Sequence, residues 1–193
     1  MKRLLAFALA ALFAVTVSAQ ITWNAKLGGG IATCYGGDTD DLKNHSVVKL
    51  GVGLEYPLSS NLSLMPSLEI ATKGTETEGD FKMTLDMLYL QAPIMFAYRY
   101  NISDAWNFVV KAGPYFGYVI SDDLEWTLNY QGLSTPNYET DIVKKFDAGL
   151  DVGIDFERHR FVFGLEAEMG FMNLYEGDYV KNLAFYVTLG RKF

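Results

Sequence analysis

Few side chains in this sequence could do chemistry. Its two histidines are His45 and His159, and its one cysteine is Cys34. His45 follows Asp40 and Asp41 closely, and a histidine held by a carboxylate is a common general acid–base pair. No serine stands in a recognisable nucleophile motif, so the pair has nothing to activate and no enzyme is expected. His159 lies between Arg158 and Arg160, as in an exposed turn. One histidine with scattered carboxylates does not supply a transition-metal ligand set. Asp38-Thr-Asp-Asp41 and Glu76-Thr-Glu-Gly-Asp80 lack the ordered spacing of a calcium loop and read as solvated acidic segments. Cys34 has no partner for an internal disulfide. No nucleotide or redox motif is present, so no cofactor is expected. The net charge of −7 speaks against a nucleic-acid partner.

The remaining charges are more ordered. Lys26, Lys49, Arg99, Lys111 and Lys145, with Glu55, Glu69, Asp147, Asp151, Asp155, Glu166 and Glu168, all fall on the polar rows of segments that alternate with period two. If those rows face an interior, the charges must pair, because an isolated buried ion costs several kcal/mol. Counting back from the turn Pro57–Asn61 places Lys49 opposite Glu69. Counting from Glu157–Arg160 places Asp151 opposite Glu166, with Lys111 at similar height to separate the two carboxylates. Lys49, Glu69, Arg99, Lys111, Asp151 and Glu166 are therefore the candidate charge network. It would serve as a polar plug that specifies the fold or as a gated ion path.

These rows need strands to carry them. The clearest segment is the last, where Leu183, Phe185, Val187 and Leu189 alternate with small or polar residues up to Phe193. Seven earlier segments alternate likewise: about 23–33, 47–56, 62–72, 83–100, 105–120, 146–156 and 161–171. Asp86 interrupts the apolar row of the fourth, which a bulge or a position above a membrane would explain. The connections alternate long and short. Lys73–Lys82 and Ser121–Asp141 are expected as long loops, the latter holding Trp126, Tyr130 and Tyr138.

Half the residues are hydrophobic, yet after the N-terminus no apolar run is long enough for a membrane helix. Apolar residues delivered by alternation are what a membrane β-barrel requires, since every backbone polar group must then be paired within the sheet. Trp23, Tyr56, Tyr98, Trp106, Phe156 and Phe161 sit at the short-turn ends of the apolar rows, as an interface girdle would. The expected fold is all-β: an eight-stranded, antiparallel, up-and-down transmembrane β-barrel. A soluble lipocalin-like ligand carrier, with the apolar rows turned inward, is the alternative. At the N-terminus, Lys2 and Arg3 precede the apolar run Leu4–Val17 and then Val17-Ser-Ala19. This pattern predicts a signal peptide, residues 1–19, cleaved after Ala19, and a barrel domain over 20–193.

Leu88-Tyr-Leu-Gln-Ala-Pro-Ile-Met-Phe-Ala-Tyr-Arg-Tyr100 with Ala112-Gly-Pro-Tyr-Phe-Gly-Tyr118, Lys145-Phe-Asp-Ala-Gly-Leu-Asp-Val-Gly153 and Leu189-Gly-Arg-Lys-Phe193 resemble the PorT-like and OmpX-like small outer-membrane β-barrel families. The resemblance covers the mature chain. It implies a porin-like location in a Gram-negative envelope and an assembly signal at Phe193 with Leu189 and Val187. Arg191 departs from it, standing where an apolar residue is usual. The resemblance is specific for architecture and adds only a secretion-accessory barrel as a functional alternative. The residues themselves lead to a structural or interaction barrel, serving adhesion, envelope integrity or partner binding, with a narrow gated channel as the alternative. Expected partners are the lipid bilayer, the outer-membrane assembly machinery, and extracellular or envelope proteins at the outer loops. A monomer is expected.

Overall fold

The computed structural model describes residues 21–37, 42–77, 81–128, 133–134, 138–139, 144–175 and 179–193. Eight long strands follow one another: β1 (Thr22–Tyr35), β2 (His45–Pro57), β3 (Leu62–Thr77), β4 (Phe81–Asn101), β5 (Trp106–Leu128), β6 (Phe146–Arg158), β7 (Phe161–Gly170) and β8 (Lys181–Lys192). Each pairs antiparallel with its neighbours in sequence. β8 returns to β1 from Asn24↔Lys192 to Tyr35↔Lys181, which closes the barrel. At the seam the backbone N–H of Phe193 donates to the Trp23 carbonyl at 2.8 Å. Closure leaves no long unpaired edge around the wall, the condition for a sheet to sit in hydrocarbon.

The alternation read from the sequence sets the two faces. In β2, Val48, Leu50 and Val52 point out while Val47, Lys49, Gly51 and Glu55 point in and are buried. Leu50 and Val187 are each about 60% exposed although both lie mid-strand. A lipocalin-like carrier would bury these rows; here they form the outer wall. All six aromatics of the expected girdle lie at the end carrying the short turns, where Trp23, Tyr98, Trp106, Phe156 and Phe161 face outward and Tyr56 is half-buried.

Several expectations change. β3 runs on to Thr77 and β4 starts at Phe81, so three residues separate them where a loop of about ten was expected. β5 runs on to Leu128, well into the segment expected as the longest loop. β5 also carries a bulge: the ladder with β4 steps from Tyr89↔Val119 to Leu88↔Ser121, leaving Ile120 unopposed. Beyond it the inward parity of β5 flips, so a single period-two reading stops there. The alternation of β4 is unbroken, and Asp86 stays outward near the long-connection end, 2.6 Å from His45 Nε2. The short pieces Leu42–Lys43, Leu133–Ser134 and Tyr138–Glu139 extend the sheet beside β3 and β5, so this side of the barrel stands taller than the rest. The leader with Ala19, and Asp38, Asp40, Asp41 and Tyr130, lie outside the described residues.

Candidate functional site

Inward rows from opposite walls meet in the lumen, and the middle of it is a continuous ion-pair cluster. Glu166 from β7 receives three lysines: Lys26 Nζ at 2.7 Å, Lys49 Nζ at 2.8 Å and Lys111 Nζ at 2.8 Å. Lys26 also meets Glu69 at 2.8 Å, and Lys111 meets Asp155 at 2.8 Å. Lys49 bonds Glu168 closely and lies 3.5 Å from Glu69. Gln91 Nε2 donates to Glu168 at 2.6 Å and Ser67 Oγ to Glu69 at 2.6 Å. The long side chains fit because glycines stand across the ladder from the carboxylates. Gly51 is opposite Glu69 and Gly153 opposite Glu166. A Cβ on either would come within 2.8 Å of Glu69 Cγ or of Lys111 Cε.

Both predicted registers are off by two residues. Lys49 lies opposite Ala71, and Asp151 lies opposite Glu168. The first turn spans 58–62 between Pro57 and Ser63, which pair, and the second is only His159-Arg160 between Arg158 and Phe161. A two-residue slip keeps every side chain on its face and changes its opposite neighbour. Lys49 and Glu69 still meet, diagonally, because the lysine is long. Asp151 is buried beside Glu168, and its Oδ1 makes no hydrogen bond within the described protein.

Arg99 belongs to a second cluster at the short-turn end. Its Nη2 lies 2.6 Å from Glu55 and its Nε 3.0 Å from Glu157. Lys192 bridges the same two carboxylates at 2.7 and 2.5 Å. Between this cluster and the central one lies a small cavity of about 40 Å³, lined in part by Lys26, Ser67, Lys111, Asp155 and Thr188. That is room for a few waters.

Toward the other end the lumen changes character. Lys73 is fully buried, 2.8 Å from Glu168 Oε2 and 4.1 Å from the centre of the Tyr115 ring. Tyr115 donates to Asp147 at 2.8 Å, and Asn182 Nδ2 donates to the Tyr89 hydroxyl at 2.8 Å. Beyond them the filling is apolar: Cys34, Leu85, Met87, Val119, Leu174 and Val180 form one buried cluster. Leu174 and Val180 come from the connection between β7 and β8, held inward by the Leu174 N–H donating to the Val180 carbonyl at 2.8 Å. Lys145, expected on the inward row, is exposed ahead of β6.

Lys73, Glu157 and Lys192, with the buried Asp122, are lumen charges that sequence reasoning missed. Composition alone puts Lys73 in a loop and Glu157 in a turn. Continuing the alternation of β3 past Thr72, and of β6 past Phe156, finds both. Among the described residues no group of histidine, cysteine and carboxylate side chains could hold a metal ion.

The outer membrane protein β-barrel domain model matches residues 16–176 of this chain. No curated protein matches it. Among solved structures, Neisserial surface protein A is 7% identical with a TM-score of 0.52, over 89% of this chain and 97% of its own. The outer membrane enzyme PagL is 12% identical with a TM-score of 0.52, over 87% of this chain and 98% of its own. Ail, the attachment invasion locus protein of Yersinia pestis, is 16% identical with a TM-score of 0.49, over 89% and 98%. At these identities the likeness is one of fold. A closed eight-stranded barrel with an apolar outer wall and a charged, filled lumen, matched over most of its length by that domain model, belongs to the outer membrane protein β-barrel domain family and resides in the Gram-negative outer membrane.

Proposed function

We propose that this barrel is a non-conducting, non-catalytic structural and interaction protein that presents its outer connections to partners at the cell surface. The occupied lumen carries this reading. An apolar cluster, a tyrosine–lysine layer and two ion-pair clusters fill it in succession along its axis. The extension of the β3–β5 side supports the second half, because a raised sheet offers backbone and surface above the bilayer. Export by cleavage after Ala19, and recognition of Phe193, Leu189 and Val187 by the assembly machinery, belong to the same reading. The three C-terminal side chains all face outward, where such a factor could meet them.

Planar-bilayer recording tests the reading. The wild-type barrel is expected to stay at baseline conductance, and so are Lys111→Ala and Glu69→Ala, because each leaves the apolar cluster in place. Steady single-channel openings of the wild type, altered by either substitution, would establish the gated ion path instead.

A further inference from the structure

The cations of this barrel divide into two sets. Those in the lumen are paired with the protein's own carboxylates. On the outer face at the short-turn end, Arg158, Arg160 and Arg191 are exposed, and none forms an ion pair with a carboxylate among the described residues. The carboxylates nearest to Arg158 in sequence, Asp155 and Glu157, point inward and are taken by Lys111, Arg99 and Lys192.

Arg158 instead lies on an aromatic ring, with its guanidinium carbon 5.3 Å from the centre of Trp106. Stacking uses the face of a guanidinium and leaves its in-plane N–H donors free for an anion. Arg158 and Trp106 are direct cross-strand partners. With His159, Phe161 and Phe163 they line a groove of about 400 Å³ on the outer wall. Arg160 follows the lining residue His159 in the two-residue turn. Apolar rings thus run down the wall from a cluster of unpaired cations at its rim, and the rim is at headgroup depth. That is the polarity of a phospholipid, phosphate at the rim and acyl chain along the wall.

We propose that this groove is a binding site for an anionic phospholipid of the periplasmic leaflet. Arg158 and Arg160 take the phosphate by charge-assisted hydrogen bonds, and Trp106, Phe161 and Phe163 take the glycerol end of the acyl chains. The site rests on the short turns facing the periplasm, as they do in barrels of this kind.

Native mass spectrometry of the detergent-refolded barrel, titrated with phosphatidylglycerol, tests it. One tightly held lipid is expected, retained better than diacylglycerol, which has the chains without the phosphate. Arg158→Gln with Arg160→Gln should weaken its retention by at least about tenfold, since two charge-assisted contacts are lost. Trp106→Ala, which keeps both charges and removes the platform, should give a smaller loss. Each variant is first shown to keep its heat-modifiable migration on an unboiled gel, so lost binding is separated from a lost barrel. Equal retention by the double variant, or equal retention of diacylglycerol, would overturn the site. So would full displacement by millimolar inorganic phosphate, which would mark an adventitious anion position.

Discussion

Inside the barrel, six cations (Lys26, Lys49, Lys73, Lys111, Arg99 and Lys192) each have a carboxylate within 3 Å. Outside, at the short-turn rim, Arg158 and Arg191 lie against rings, each 5.3 Å from a ring centre, Trp106 for one and Phe193 for the other. The two sets have similar chemistry and different surroundings. A lumen charge is largely withdrawn from bulk water, so the chain must supply its counter-ion or lose several kcal/mol per ion. A rim charge borders water and headgroups, so the chain can leave its counter-ion to the membrane. Pairing is a consequence of burial here, and the unpaired positions mark where the protein meets something else.

If burial dictates the pairing, removing one lumen cation should be the most damaging change. Lys49 is the most heavily engaged, touching Glu69, Glu166 and Glu168 while fully buried. Lys49→Met is expected to destabilise the barrel by about 3–5 kcal/mol. The measurement is urea unfolding of the detergent-refolded protein followed by tryptophan fluorescence. Adding Glu168→Gln to the same chain should recover part of the loss, because without Lys49 the lumen carboxylates outnumber their cations further, even though Glu168 keeps Lys73. A double variant no better than the sum of its parts would mean the two groups are not coupled.

The long-connection end of the lumen sharpens the comparison, since an apolar cluster is packed there. Leu174→Ala removes one branch of that apolar cluster and should cost about 2–4 kcal/mol, by transfer and cavity terms alone. That loss should be independent of salt. The loss in Lys49→Met should also depend little on salt, because buried pairs are poorly screened, whereas rim variants should respond to it. Salt-sensitive stability in Leu174→Ala would mean that charges reach further into the outer end than the contacts show.

The faces were legible in the sequence and the partners were not. Period two states which way a side chain points. It says nothing about height, and height is set by turn length. The turn at His159-Arg160 is two residues shorter than its composition suggested, and that alone moves Asp151 from Glu166 to Glu168. The turn after Pro57 has the five residues counted but begins one residue later, at 58, and that moves Lys49 to Ala71. The glycines carry a register signal of their own: Gly51 and Gly153 open the space that Glu69 and Glu166 fill, so a carboxylate row facing a glycine row fixes the register better than the turn does. Lys73 was lost for a different reason. A run of Lys, Gly, Thr and Glu reads as loop, yet β3 continues through it, with Lys73 and Thr75 inward and buried. Polar rows of a filled barrel and polar loops share a composition, and only continued pairing tells them apart.

The smallest expected effect lies at the rim. His159 has φ 54°, the only non-glycine residue with positive φ among those described. The left-handed region costs an ordinary L-residue about 1–2 kcal/mol, and histidine tolerates it better than branched residues do. His159→Gly removes the Cβ conflict, and the extra freedom of glycine in the unfolded chain offsets part of the gain. The net expectation is a stabilisation of up to about 1 kcal/mol in the same urea unfolding, with the heat-modifiable band unchanged. His159 is exposed and forms no hydrogen bond or ion pair among the described residues, so no polar protein contact should be lost with it. A stabilised variant would therefore place His159 with the arginines, as a side chain held in a costly backbone position toward the membrane. A destabilised variant would mean the imidazole has a protein partner after all, and the division between paired interior and unpaired rim would have to be redrawn at this turn.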